Sequence, residues 1–174
     1  MGRTKKIQDG QTEETEPSAE STAVSEPENT SGFVLKVKLV GDNARLPERA
    51  NPTDAGVDLF APYELIIGAR DSKFMDFGIQ VEIPDGMAGY IFARSGLGSK
   101  HGIRPRNCVG VIDSKYRGDL CMMVENNSDS TYHIHSGDRV AQLVIMPVYL
   151  PDVVQADELD MTEDRGGGLG HTGK

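Results

Sequence analysis

The sequence is poor in the residues that build large aromatic cores and disulfide frameworks. It has no tryptophan, 6% aromatic residues and two cysteines in 174 residues, so the core must be mainly aliphatic. Cys108 and Cys121 stand inside apolar runs, and we expect buried free thiols in a reducing compartment. No stretch approaches the roughly 18 apolar residues of a membrane span, and the polar N-terminus lacks the hydrophobic segment of a secretory signal. We expect a soluble protein of the cytoplasm, or also of the nucleus in a eukaryotic host.

The sequence also lacks an excess of positive charge. Its formal net charge of -9 argues against a surface that binds nucleic acid, because such surfaces are strongly basic. An acidic protein can still bind a phosphorylated small molecule if cations collect locally or if a metal ion accompanies the ligand. We therefore expect no nucleic-acid partner and no membrane, and we keep small anionic ligands open.

The two ends of the chain differ in composition from its middle. Residues 1–32 are rich in Glu, Ser, Thr and Pro and nearly lack large apolar groups, which predicts a disordered acidic tail. This tail is either a solvated extension or the binding segment for an unidentified protein partner. Residues 33–160 form the predicted β domain, and the glycine-rich residues 161–174 form a predicted flexible arm.

The middle of the chain is a series of short strand patterns. Phe33, Leu35, Val37 and Leu39 alternate with polar residues, which is typical of a half-buried strand. Turn signals separate further strand-like segments: GVDLFAP, YELIIGA, FMDFGIQVEIP, GMAGYIFAR, CVGVID, DLCMMVEN, TYHIH and RVAQLVIMPVYL. At most one short helical turn is expected after RSGLGSKHG. The pattern predicts an all-β barrel or sandwich-like fold.

Two loop motifs carry residues suited to a phosphorylated ligand. In ARSGLGSKHG, Arg94, Ser95 and Gly96 offer a guanidinium, a hydroxyl and accessible backbone amides, which can bind an anion, although a polar loop between strands is the alternative. In GVIDSKYRG, Asp113 and Tyr116 flank a two-residue tip. They are either ordinary turn residues or a base and an aromatic platform facing each other across a hairpin mouth.

Two polar residues lie inside apolar strands. The buried amide of Gln142 must be hydrogen-bonded, either to the backbone or to a ligand. Asp58 is either an ion-pair partner of Arg94 or Arg139, or part of the outer coordination shell of a metal ion.

The C-terminal sequence GGGLGHTGK superficially fits a phosphate-loop pattern. Gly168, Gly173 and Lys174 have the required spacing, but that motif needs a following helix, which excludes a Walker-type site here. A flexible flap that brings Arg165 and backbone amides to phosphates remains, with simple disorder as the alternative.

Five motifs in series resemble those of the dUTPase (deoxyuridine triphosphate nucleotidohydrolase) family. They are A-G-x-D-L, R-S-G-L, G-V-I-D-x-x-Y-x-G, G-D-R-x-A-Q-L and R-G…G-x-G-x-T-G, and they run from about Val34 to Gly173. The resemblance implies a compact jelly-roll-like subunit of β-clip type and a homotrimer whose active sites are shared between subunits. It also implies hydrolysis of dUTP to dUMP and pyrophosphate, which limits uracil in DNA and supplies dUMP for thymidylate synthesis.

The resemblance assigns roles to residues of this chain. Asp113 would be the general base for a water that attacks the α-phosphorus in line. Tyr116 would stack on the deoxyribose, and a hairpin from Asn107 to Asp113 would accept uracil. Mg²⁺ would be held mainly by the triphosphate, with a water-mediated contact from Asp58. The complete set predicted to bind substrate is Arg94, Ser95, Gly96, Asn107, Gly110, Val111, Ile112, Tyr116, Cys121, Gln142, Arg165, Leu169 and Gly170.

The sequence departs from the family pattern in its last motif. Leu169 stands where the family usually has a phenylalanine that stacks on uracil, and the glycine run looks one residue shorter. Ala93 stands where proline is common. Two rival functions are a dCTP deaminase, which would need a glutamate not found near HGIRPRNCVGVID, and a binding or regulatory protein that keeps the fold.

Overall fold

The computed structural model describes Met1, residues 32–163 and residues 166–167. The chain divides into two units, Met1–Gly32 and Phe33–Lys174, and the described strands and helix belong to the second. The tail predicted for residues 1–32 and the arm residues Arg165, Leu169 and Gly170 lie essentially outside the described residues. Their assigned roles therefore stay predictions, as do the three proposed segments.

Ten strands and one short helix make up the described part of the chain. In order they are β1 (Lys36–Leu39), β2 (Gly56–Phe60), β3 (Leu65–Ile67), β4 (Ser72–Glu82), β5 (Met87–Ala93), α1 (Ser95–His101), β6 (Ile103–Pro105), β7 (Gly110–Ile112), β8 (Asp119–Asn126), β9 (Tyr132–Ile134) and β10 (Arg139–Pro147). The predicted all-β class is confirmed. The sequence pattern does not indicate strand β6, because IRP is short and contains proline, which is disfavoured inside sheets.

The strands form three antiparallel sheets. One has the order β1-β4-β8-β6, the second β2-β10-β5-β7, and the third contains β3 and β9. Among the described residues these pairings do not close into a barrel. Neighbours along the chain often lie in different sheets, so the loops between them cross from one sheet to another.

The core follows from strict alternation along the long strands. In β4, Met75, Phe77, Ile79 and Val81 point inward and are at most 2% exposed. Inward-facing residues of β8 and β10 complete the same cluster. Aliphatic side chains dominate it, as the composition predicted. Burial of such side chains contributes about 1.5–3 kcal/mol each.

The N-terminal strand and the helix differ from the sequence-based predictions. Strand β1 covers four residues, and Phe33 and Leu39 are 58% and 47% exposed, so only Leu35 and Val37 of the predicted face pack on the core. The helix occupies the RSGLGSKHG motif itself rather than following it. Gly102 ends it in the left-handed conformation with φ 67°, which glycine adopts without strain.

None of the described residues forms a helix long and apolar enough to cross a bilayer.

Candidate active site

A cleft of about 390 Å³ opens between the two four-stranded sheets. We call it the β7 pocket, after the strand that forms one wall. Its lining consists of Ile91, Arg106, Asn107, Gly110, Val111, Ile112, Cys121, Met122 and Met123. Five residues of the predicted substrate set therefore lie together around one cavity, and they come from the turn after β6, from β7 and from β8.

The segment that carries Asn107 is a tight turn joining two sheets. The amide of Cys108 donates to the carbonyl of Pro105 at 3.0 Å, and the amide of Val109 donates to that of Asn107 at 2.8 Å. Cys108 has φ 68°. The interpretation of this region as a β-hairpin is wrong, because β6 pairs with β8 whereas β7 pairs with β5. The turn instead bridges the sheets that enclose the pocket.

The two cysteines are less buried than expected: Cys121 lines the β7 pocket, and Cys108 lies in the turn that follows Asn107. Both are free thiols, as predicted, but Cys108 is exposed and Cys121 is only half-buried. The prediction of two buried thiols is therefore wrong: Cys108 lies in the turn after β6, and Cys121 lies on β8 between the core residues Leu120 and Met122, whose side chains point to the opposite face of the strand. Burial, and then the negative charges of Asp76 and Asp119, raise the pKa of the Cys121 thiol, which keeps it protonated at neutral pH.

The loop after β7 presents Asp113 and Tyr116 at the surface. The amide of Tyr116 donates to the carbonyl of Asp113 at 3.0 Å, and the Tyr116 hydroxyl donates to the carbonyl of Asp119 at 3.0 Å. An exposed ion pair of Lys115 with Asp85, at 2.6 Å, ties the loop to the β4–β5 turn. Asp113 is exposed at the end of β7, where solvent can reach its carboxylate.

A second group of predicted residues meets on β2, β5 and β10. We call Asp58, Arg94, Arg139 and Gln142 the arginine cluster. Asp58 Oδ1 accepts from Arg94 Nε at 2.7 Å, and its Oδ2 accepts from Arg139 Nη1 at 3.2 Å. Of the two interpretations of Asp58, the structure shows the ion pair, and with both candidate arginines. Gln142 Nε2 donates to the carbonyl of Ala93 at 2.9 Å, so its amide is bonded to backbone.

The helix α1 begins directly beside this cluster. Arg94 is its N-cap residue, with φ -75° and ψ 136°, and has no side-chain capping bond. The carbonyl of Arg94 accepts from the amide of Gly98 at 2.8 Å. Ser95 and Gly96 are exposed in the first turn, where helical amides have no intrahelical acceptor. The Gln142 bond to Ala93 therefore fixes the backbone that leads into these amides.

The structure brings the predicted residues into two groups rather than one. Strand β5 connects them, since Ile91 lines the β7 pocket while Ala93 accepts from Gln142. Within the described residues, no hydrogen bond joins Asp113 or Tyr116 to the arginine cluster. Sequence reasoning missed the pocket residues Arg106 and Met123, although Met123 stands two positions after Cys121 and so shares its face of β8.

Metal-binding side chains do not cluster in the described part of the chain. No group of three or more His, Cys, Asp or Glu residues among those described is placed to hold a metal ion. Each oxygen of the Asp58 carboxylate accepts from a guanidinium group, and the positive charges of the two arginines oppose a cation bound at that carboxylate. These residues do not fit a Mg²⁺ ion bound by the protein alone.

Comparison with known proteins agrees with the motifs. The dUTPase family model matches residues 42–173. The deoxyuridine 5'-triphosphate nucleotidohydrolase of Solanum lycopersicum is 36% identical over 91% of this chain and 93% of its own length. That of Desulfitobacterium hafniense is 42% identical over 80% of this chain and 97% of its own.

Solved structures give the same result. The dUTPase of Staphylococcus bacteriophage 80alpha with dUPNHPP has a TM-score of 0.75 and 31% identity, covering 81% of this chain and 99% of that one. A mutant dUTPase from phage phi11 of S. aureus, described with a coordinated structural Mg(II) ion, has a TM-score of 0.66 and 31% identity, covering 72% and 97%. By sequence, motif order and fold, the chain belongs to the dUTPase family.

Proposed function

We propose that this chain hydrolyses dUTP to dUMP and pyrophosphate through in-line attack of water on the α-phosphorus. Hydrolysis of dUTP is the reaction of its family. The observation that carries the proposal is the β7 pocket, in which five predicted substrate residues surround one cavity next to the loop of Asp113.

The β7 pocket is suited to a pyrimidine base. Its volume of about 390 Å³ lies in the range of small-molecule sites. Main-chain groups of β7 and the Asn107 amide offer donors and acceptors for the edge of uracil. Cytosine presents the opposite pattern at that edge, and a buried unpaired polar group carries a large cost. A close fit of the base against β7 would exclude the methyl group of thymine.

Asp113 is the proposed general base. It follows β7 directly, so its position is fixed by the strand that forms the pocket wall. A carboxylate in this role must lie within hydrogen-bond distance of the attacking water. Tyr116, held by two hydrogen bonds in the same loop, is the proposed platform for the deoxyribose.

The arginine cluster and the start of α1 are the proposed phosphate site. Arg94 uses Nε and Nη1 in the contacts with Asp58 and Arg139, and a guanidinium has five N–H donors in all. Ser95 and Gly96 add exposed amides and a hydroxyl. Gln142 supports this backbone through Ala93. Mg²⁺ enters as part of the substrate, chelated by the triphosphate, which suits a site without a protein-built metal cage.

The complete active site is proposed to form between copies of the chain in a homotrimer. Asp113 and Arg94 lie in separate groups within one subunit, and a neighbouring copy would bring one group to the other. The segment after β10 carries exposed apolar residues, including Tyr149 at 94% and Val153 at 97%. Such side chains are typical of surfaces that pack on a partner. The predicted arm with Arg165, Leu169 and Gly170 continues from this segment.

A cytoplasmic location of the protein is also part of the proposal.

Pyrophosphate release from dUTP, UTP, dCTP and dTTP, with and without Mg²⁺, tests the function. We expect turnover with dUTP and Mg²⁺ and little with the other nucleotides. Asp113→Asn should lower kcat by about a thousandfold while the Kd for a non-hydrolysable dUTP analogue stays within a few-fold. Ammonia release from dCTP, or parental turnover by the variant, would contradict the proposal.

A further inference from the structure

We propose that Gly118 is a positioning residue for Tyr116, and that the absence of a side chain at position 118 determines how strongly ribonucleotides are rejected. This inference rests on the proposed function, in which the Tyr116 ring lies against the sugar. Gly118 is neither among the residues that line the β7 pocket nor in the arginine cluster.

The space above Gly118 is filled by the tyrosine ring. A Cβ atom built on Gly118 would lie 2.5 Å from the hydroxyl oxygen of Tyr116, 2.7 Å from Cζ and 3.1 Å from Cε2. All three distances are shorter than van der Waals contact. The conflicting atoms belong to a rigid ring, so a small rotation at the end of a flexible chain cannot relieve them.

Backbone conformation does not explain the glycine. Among the described residues, the glycines with positive φ include Gly102 and Gly137 but not Gly118. A residue with a side chain can therefore adopt the backbone conformation at position 118. Glycine is required at position 118 because the Tyr116 ring occupies the space that a Cβ atom would need.

The ring is otherwise held by hydrogen bonds on both sides of Gly118. The hydroxyl donates to the carbonyl of Asp119 at 3.0 Å, and the backbone amide of Tyr116 donates to Asp113 at 3.0 Å. The tyrosine thus folds back over the chain that leads into β8. A methyl group on residue 118 would push the ring outward and break the bond to Asp119.

The position of the ring decides how much space the sugar has. Tyr116 is 42% exposed, so one side of the ring is available to a ligand while the hydroxyl end rests on residues 118 and 119. A displaced ring no longer closes the space at C2′. The discrimination between a hydrogen and a hydroxyl at that carbon then falls, and contact with the deoxyribose weakens.

The test compares kcat/KM for dUTP and UTP in four proteins: the unmodified chain, Gly118→Ala, Tyr116→Ala and the double variant. We expect Gly118→Ala to lower the dUTP/UTP ratio by about tenfold or more. In the Tyr116→Ala background the added methyl should change the ratio by less than about twofold, because the ring it would displace is gone. Gly68→Ala is the matched control, since its Cβ meets only Asp71 at 3.7 Å.

Each outcome bears on the inference. An unchanged ratio in Gly118→Ala, or an equal drop in both backgrounds, would overturn it, and so would failure of both Gly118 variants to fold. If Gly118→Ala alone fails to fold while the double variant folds, the clash with the ring is supported. A crystal structure of Gly118→Ala should show the ring displaced and its bond to Asp119 lost. That readout needs no turnover, so a lack of dUTP hydrolysis by the unmodified chain would count against the proposed function alone.

Discussion

The β7 pocket and the arginine cluster are built on opposite principles. The pocket is lined mainly by apolar side chains and strand backbone, and its shape follows from the packing of two sheets. Apart from Gln142, the cluster consists of charged groups, in which the Asp58 carboxylate on β2 is bonded to Arg139 on β10 and to Arg94 directly after β5. The pocket is therefore ready to select a ligand by shape and hydrogen-bond pattern, whereas the cluster depends on a balance of charges.

Because of this difference, substitutions in the pocket and in the cluster should have different consequences. If the pocket accepts the base as proposed, a change in an exposed part of its wall, such as Asn107, should alter which base fits and leave the fold in place. In the cluster, Asp58 is the only carboxylate shown between Arg94 and Arg139 among the described residues. Removing its charge leaves two guanidinium groups close together, with consequences for both stability and phosphate binding.

Among the variants that compare the two regions, the largest effect is expected from Asp58→Asn. The isosteric amide removes the negative charge and turns one acceptor into a donor that faces an arginine. The free energy of unfolding should fall by about 2 kcal/mol, and kcat/KM for dUTP by about a hundredfold, because Arg94 loses the partner of its Nε. Urea unfolding and pyrophosphate release measure the two effects.

Asp129→Asn is the matched control. Arg70 Nε donates to Asp129 Oδ1 at 2.9 Å, and Arg70 Nη2 lies 2.8 Å from the same oxygen. The Asp129 side chain is 88% exposed, however, whereas that of Asp58 is 12% exposed. Exposed ion pairs contribute about 0–1 kcal/mol, so this variant should keep parental kcat/KM. Equal losses in both variants would show that the cluster is no more than an ordinary ion pair.

A smaller and more selective effect is expected from Asn107→Ala in the pocket. Removing the amide should lower the preference for dUTP over dCTP by about tenfold, with stability nearly unchanged because Asn107 is exposed. Asn51→Ala, at an exposed turn where the Asn51 amide donates to Asp54, serves as the control. If Asn107→Ala lowers turnover of both nucleotides equally, the residue shapes the turn and does not read the base.

Most of the strands were predictable because alternation is a local signal. β4 and β10 are long enough for the pattern to be unambiguous, and their inward residues are those that the sequence indicates. The sheet pairing was not predictable in the same way. β7 looked like one arm of a hairpin because its neighbours in sequence are turns, yet its partner is β5, some twenty residues earlier.

In the candidate site too, local motifs predicted some residues, whereas others depend on the pairing of strands. The ordered motifs indicated Asn107, Gly110 and Cys121 as substrate residues, and they do line one cavity. Arg106 and Met123 could be assigned to the pocket only from the register between β6 and β8, because this pairing joins segments that are distant in the sequence. For Asp58, chemistry alone left an ion pair and a metal contact open, and only the fold brings Arg94, which follows β5, and Arg139 on β10 to its carboxylate.

The smallest effect we expect is a difference in the reactivity of the two thiols. Cys108 is exposed on the turn, whereas Cys121 is half-buried in the pocket wall, and its pKa is raised from 9.0 by burial and by two aspartates. The thiolate is the reactive form, so Cys121 should react with a disulfide reagent about tenfold more slowly at pH 8, measured in Cys108→Ser and Cys121→Ser variants. A non-hydrolysable dUTP analogue should slow Cys121 further by covering the pocket.

The same pKa shift predicts the direction of the pH dependence. The folded state holds the Cys121 proton more tightly than the unfolded chain, so this contribution to stability is complete below pH 9 and is lost as the pH rises through the raised pKa. Cys121→Ser should therefore flatten the decline of the unfolding free energy at alkaline pH. In the thiol-reactivity experiment, two results would contradict the prediction: faster reaction of Cys121 than of Cys108, or no protection of Cys121 by the dUTP analogue. Either result would mean that the pocket is more open than its lining indicates and that base selection must depend on the neighbouring subunit.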